Sequence, residues 1–219
     1  MTVTTGIALS RVSSHTGHDV LLAITGETQL RELRSAMPRR QLWLDEGLRI
    51  AERQAGLLRW QLDAAETPAL PTETLTRLRF VSVTSRPRLA KSGLVTHTDS
   101  GWVIVLNADE AAVRQRFSAC HELKHLIDHE LSERAERGLY RGAYGESPEQ
   151  LAERVCDRFA AALLMPKTLL RRDWTSGLQQ LAGLARRYQV SKAAMEVRLR
   201  EIGLIEPTPR CGFTTRPAT

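Results

Sequence analysis

The sequence predicts an α+β fold in which a small antiparallel sheet leads into a long buried helix and the C-terminal part is helical. Three observations carry this. Strand-like segments are confined to residues 78–106, a helical stretch precedes them and a long run without Gly or Pro follows them, and 219 residues suffice for one substantial core with appendages.

Taken in order, residues 1–36 are rich in Thr, Ser and Gly with weak periodicity, and read as an N-terminal extension that is at most partly ordered. Pro38 opens a helical stretch to about Ala65, with Leu44, Leu48, Ala51, Ala55, Leu58 and Leu62 on one stripe. The segment from Thr67-Pro68 to Pro71 breaks it. Strands are expected at Leu78–Thr84, Gly93–Thr98 and Gly101–Leu106, with Asp99-Ser100-Gly101 as a hairpin turn. Asp109 and Glu110 then open a helix that runs unbroken to about His129, where Phe117, Cys120, Leu123, Lys124 and Ile127 recur at helical spacing. A second helix passes through Glu153 and Met165 and stops at Pro166. Leu178–Tyr188 and Lys192–Ile202 form a closing helical pair with Ser191 as N-cap. The domain therefore spans 37–206, and 207–219, with three prolines, is a flexible tail.

The first long helix carries His121-Glu122-Leu123-Lys124-His125. Four residues advance a helix by about 6 Å and nearly complete a turn, so both imidazoles reach one side and can each bind one ion at roughly 2 Å. Glu122 is rotated about 100° from His121, beside the ion and placed to take a proton from water. Such a site needs a third protein donor. His129 lies about 12 Å along the axis from His121, too far for easy convergence on a straight helix. Glu153 is the better candidate: it shares a helical face with Asp157, so one carboxylate can bind metal while the other accepts the free N–H of a ligand histidine. Tyr140 and Tyr144, between the two helices, are the candidates for stabilising an oxyanion.

The segments Arg114–His125 and Glu153–Pro166 resemble the ImmA/IrrE metallo-endopeptidases, a likeness that extends over roughly Gln41 to Pro207, and the wider gluzincin arrangement of HExxH joined by a later glutamate. The resemblance implies a zincin-like metallopeptidase domain, cytoplasmic, that cuts a helix-turn-helix repressor and releases the genes it controls. It puts His121, His125 and Glu153 on the metal-ligand positions, Glu122 on the catalytic base and Asp157 on the acid behind a ligand. One zinc ion is implied, although manganese or iron suits the same N,N,O set. Lys124 stands where the family often has Gly, and Asp157 where it often has Asn. Residues 1–36 show no helix-turn-helix of their own, so the repressor is expected to be a separate chain.

The net charge of +6 is concentrated: residues 148–219 hold twelve Lys or Arg against seven Asp or Glu. With Arg186, Arg187, Lys192, Arg198 and Arg200, the closing helices support an alternative, a DNA-binding regulator whose metal site is structural or vestigial. A third reading is a protein that sequesters a repressor without cutting it. No apolar run is long enough for a signal or membrane span, so no membrane partner is expected. The three cysteines lack metal-ligand spacing and read as free thiols, Cys120 and Cys156 packing inside.

Overall fold

This computed structural model describes residues 17–99, 101–133, 138–142 and 145–206. Its elements are α1 (Gly17–Ser35), β1 (Leu42–Trp43), α2 (Leu44–Gln61), α3 (Thr72–Leu75), β2 (Val81–Arg86), β3 (Gly93–Thr98), β4 (Gly101–Asn107), α4 (Ala112–Glu133), β5 (Tyr140–Arg141), α5 (Pro148–Leu164), α6 (Lys167–Thr175), α7 (Leu181–Arg187) and α8 (Lys192–Glu201). The α+β class holds.

The core is a helical layer of α2, α4 and α5 with the sheet on the other side of α4. Ala119, Cys120, Leu123, Leu126 and Ile127 of α4 are fully buried, as are Ala51, Ala55 and Leu58 of α2 and Val155, Phe159 and Leu163 of α5. Each large apolar side chain among them contributes about 1.5–3 kcal/mol relative to an exposed one. Ser147 caps α5, its hydroxyl accepting the Gln150 N–H at 3.2 Å while the Gln150 side chain accepts the Ser147 N–H at 3.0 Å. Pro148 supplies the first turn, and Pro166 follows the helix.

The expected hairpin is present: β3 and β4 pair antiparallel from Gly93↔Leu106 to Thr98↔Gly101. Ser100, in its turn, lies outside the described residues. The sheet as a whole is mixed, because β2 joins β4 in parallel and the order is β2-β4-β3. That leaves β3 on an edge. The edge matters because β3 also packs on α4, the helix with the histidines.

Several elements depart from the sequence reading. Gly17–Ser35, expected as an extension, is a helix that docks through Leu30 and Leu33; Arg34 donates to the Ile127 and Leu126 carbonyls of α4 at 3.0 and 3.2 Å. Residues 1–16 and the proposed tail from 207 lie outside the described residues. The helix expected from Pro38 begins only at Leu44, because Leu42–Trp43 pairs in parallel with Tyr140–Arg141 and the Glu46 carboxylate accepts the Trp43 N–H at 3.0 Å. Helices α3 and α6 fill stretches that carry too few residues for a periodic signal. Ser191 caps α8 as expected, accepting the Ala194 N–H at 3.1 Å.

Candidate metal centre

Helices α4 and α5 run antiparallel, so His121 faces Asp157 while His125 faces Glu153. Three donor groups meet between them. The two histidine Nε2 atoms are 3.1 Å apart, Glu153 Oε2 is 3.1 Å from His121 Nε2, and Glu153 Oε1 is 3.3 Å from His125 Nε2. A tetrahedral ion bound at about 2.0–2.1 Å sets its donors about 3.3–3.4 Å apart, so the spacing of this set fits a divalent ion without rearrangement. The donor chemistry agrees, two neutral imidazoles and one carboxylate being suited to zinc and its neighbours.

Asp157 stands behind this set. His121 Nδ1–H donates to Asp157 Oδ1 at 2.9 Å, and since a carboxylate only accepts, the Nε2 lone pair is left facing the other donors. Burial would lower the His121 pKa, but the bond to Asp157 and the charges of Asp157, Glu153 and Glu122 together hold it above the ordinary value.

Glu122 lines the same cleft without joining the donor triangle. Burial raises its carboxyl above the usual range, against the lowering influence of the two histidines. Gly93 on β3 makes room for it: a Cβ there would sit 3.1 Å from Glu122 Cγ. The cleft has a volume of about 1260 Å³ and reaches from β3 across α4 and α5 to α8.

Tyr140 is not at this cleft, which corrects its reading as an oxyanion residue. It is buried, its hydroxyl donates to Asp128 Oδ2 at 2.6 Å, and its ring packs where a Cβ on Gly47 would fall, at 2.7 Å. Burial, with Asp128 beside it, raises its pKa well above that of a free phenol. Tyr144 lies outside the described residues. His129 packs edge-on against Trp102 with ring centroids 4.7 Å apart, away from the donors. Cys120 and Cys156 are buried thiols, as expected. Burial pushes the Cys120 thiol up to about 12 and Cys156 well above its ordinary value. Cys156 nonetheless lies within 4.8 Å of the two histidine donors, and Cys211 falls outside the described residues.

Sequence reasoning missed the group under the histidines. Lys124 is fully buried and its ammonium donates to Asp128 Oδ1 at 2.5 Å, so Lys124, Asp128 and Tyr140 form one closed network. The i, i+4 spacing of Lys124 and Asp128 was the available signal. The basic residues of the closing pair are largely engaged. Arg187 pairs with Asp173 at 2.6 Å, Arg200 pairs with Glu196, and Arg198 is buried with Glu52 at 2.8 Å. Among the described residues no helix is long and apolar enough to cross a membrane.

The Peptidase_M78 family model, described as the IrrE N-terminal-like domain, matches residues 77–200, more than half of the chain. The radiation response metalloprotease IrrE of Deinococcus radiodurans is 36% identical over 100 residues, covering 42% of this chain and 29% of the relative. The protein of the same name from Deinococcus deserti is 39% identical over 97 residues, covering 41% of this chain and 32% of the relative. The chain thus spans about a third of the length of these relatives. A solved structure titled Mycobacterium tuberculosis transcriptional regulator aligns with 83% of this chain and 53% of its own at 16% identity, with a TM-score of 0.48.

Proposed function

We propose, from the premise that this chain belongs to the ImmA/IrrE family through its IrrE N-terminal-like domain, that it is a zinc-dependent endopeptidase acting on a separate helix-turn-helix repressor. The observation that supports this best is the donor triangle of His121, His125 and Glu153 with Asp157 behind it and Glu122 alongside. When bound, zinc would acidify water and polarise a peptide carbonyl.

The rest of the chemistry belongs to the chain's own residues. His121, His125 and Glu153 would hold the ion, and Asp157 keeps His121 in the tautomer that exposes Nε2. Glu122, whose carboxyl burial holds above its ordinary value, takes the proton from the attacking water and passes it to the leaving amine. The free edge of β3 offers backbone groups to an extended peptide, which would lie across Gly93 and Glu122. Cleavage of a repressor in that position would release its genes, and the place of the chain is then the cytoplasm.

The test compares the wild-type chain with Glu122→Gln, each zinc-loaded, on the helix-turn-helix protein encoded nearest its own gene. The amide keeps the size of the side chain and cannot take the proton, so cleavage should stop while zinc content stays at one per chain. Cleavage that persists in Glu122→Gln overturns the mechanism. Binding of the repressor without cleavage by either form would favour sequestration instead.

A further inference from the structure

We infer that helix α8 is a selecting wall of the cleft and that, with α4, it forms an apolar subsite for large aliphatic or aromatic side chains of an extended peptide. This inference rests on the peptidase reading above. Of the four large apolar side chains that stand exposed among the described residues, two, Val113 and Val197, line this one cleft, at 38% and 53% exposure. Val113 is on α4 and Val197 on α8. Phe117, Ala161, Met165 and Ala194 continue the apolar lining between them.

The subsite is continuous with the metal donors. Phe117 is one turn before His121 on α4 and Val113 one further turn away, so the apolar lining begins about 6 Å and extends to about 12 Å along the axis from the first histidine. On the antiparallel α5, Ala161 lies eight residues beyond Glu153, which is again about 12 Å. An extended chain advances about 3.3 Å per residue, so two to four residues beyond the scissile bond fall over this surface.

Charge does not compete for the same end of the cleft. Arg158 pairs with Glu52 and Glu201 at 3.3 and 3.2 Å, and Arg198 with the same two carboxylates at 2.8 and 3.3 Å while donating to the Met165 carbonyl at 3.1 Å. These four groups neutralise one another and tie α8 to α2 and to the end of α5. Lys91 and Arg114 stand on the β3 side, where Arg114 is bonded to Ser92. What the α8 end offers a ligand is therefore apolar surface already paid for by exposure to water, which an apolar side chain would cover.

The experiment titrates the zinc-loaded full chain with three probes by calorimetry: acetohydroxamate, and two hydroxamate-capped tetrapeptides, a Gly-Gly probe of four glycines and a Leu-Leu probe with leucine at the second and fourth residues from the hydroxamate, which share one side of an extended chain and reach the depths of Phe117 and Val113. The Leu-Leu probe should bind about tenfold to a hundredfold tighter than Gly-Gly, the gain expected from covering one or two leucine side chains. In Val197→Asp and Val113→Asp that ratio should collapse toward unity, and Val197→Leu should preserve it. Both positions are exposed enough to accept a polar residue, and if an aspartate variant does not fold, Val197→Thr, of nearly the same shape, supplies the comparison. A metal site that binds acetohydroxamate but shows no preference for Leu-Leu in the wild type, or keeps the preference in every polar variant, overturns the subsite. Failure of acetohydroxamate itself to bind overturns the metal-centre reading, and the subsite with it.

Discussion

Replacing Asp128 by Asn should destabilise the chain by about 3–5 kcal/mol, because it leaves the Lys124 ammonium buried without a counter-charge. The environment supports a value in that range. Lys124 is fully buried, Asp128 is 4% exposed, and the carboxylate takes one hydrogen bond from Lys124 at 2.5 Å and one from Tyr140 at 2.6 Å. Asparagine keeps the shape and can still accept from Tyr140, so the loss is chiefly one of charge. Tyr140→Phe leaves the ion pair intact and removes a single bond to a charged acceptor, for an expected cost of about 1.5–3 kcal/mol. A triple replacement, Lys124→Met with Asp128→Leu and Tyr140→Phe, removes every partner together and should fall near the wild type, within about 1–2 kcal/mol. For a chain of this size each kcal/mol moves the melting temperature by about 2–4 °C, so Asp128→Asn should melt roughly 6–20 °C lower. Urea and thermal unfolding of metal-free protein measure this without linkage to the ion. A loss below about 1 kcal/mol in Asp128→Asn, or a triple variant worse than any single one, would refute the closed buried network.

Other expectations follow from the same geometry. Stripped and reloaded protein should hold one zinc per chain; His121→Ala, His125→Ala and Glu153→Gln should each lose it to a competing chelator, whereas His129→Ala and Cys156→Ala should keep it. Loss in Cys156→Ala with retention in Glu153→Gln would move the third ligand to the thiol that lies within 4.8 Å of the histidines. Glu46, hydrogen-bonded by Arg40 and by the Trp43 N–H, has its carboxyl lowered from 4.5 to about 2. A depressed carboxyl stabilises the fold above its unfolded pKa and loses that contribution as pH falls through the folded one. Glu46→Gln should therefore be less stable than wild type at pH 6, with the difference shrinking between pH 4.5 and 2; a difference independent of pH in acid unfolding would rule this out.

The parts of the site legible in the sequence are those set by spacing within one helix. His121 and His125 face one way because four residues nearly complete a turn, and Glu153 and Asp157 share a face for the same reason. Pairing the two helices needed only that both be long and that Pro166 end the second. Tyr140 was misread because its surroundings, Gly138 to Gly142, look like a polar loop. Its burial depends on Gly47 in a distant part of the chain, which leaves space for the ring. Lys124 posed the same difficulty in reverse: it occupies a core position on an apolar stripe, and only Asp128 one turn on hinted that the charge could be buried. Helix α1 has no regular stripe to read, since its docking relies on Leu30, Leu33 and Arg34 and on Gly26 lying against the Arg79 backbone.

The closing helices show why a motif can be legible while its use is not. A short basic helix pair around Gln189-Val190-Ser191 has the outline of a DNA reader, and the structure does contain the pair. A DNA reader needs the N-terminal part of its second helix free to enter a groove and its cations free to meet phosphate. Here Ser191, Ala193 and Ala194 of that part line the cleft that holds the metal donors, and Arg187, Arg198 and Arg200 pair with Asp173, Glu52, Glu201 and Glu196. Counting charges along the chain cannot reveal this, because the carboxylates that engage these arginines come partly from α2 and α6. Arg198, one of the arginines that suggested nucleic acid, is, once paired, what fixes α8 over the cleft and leaves Val197 facing it.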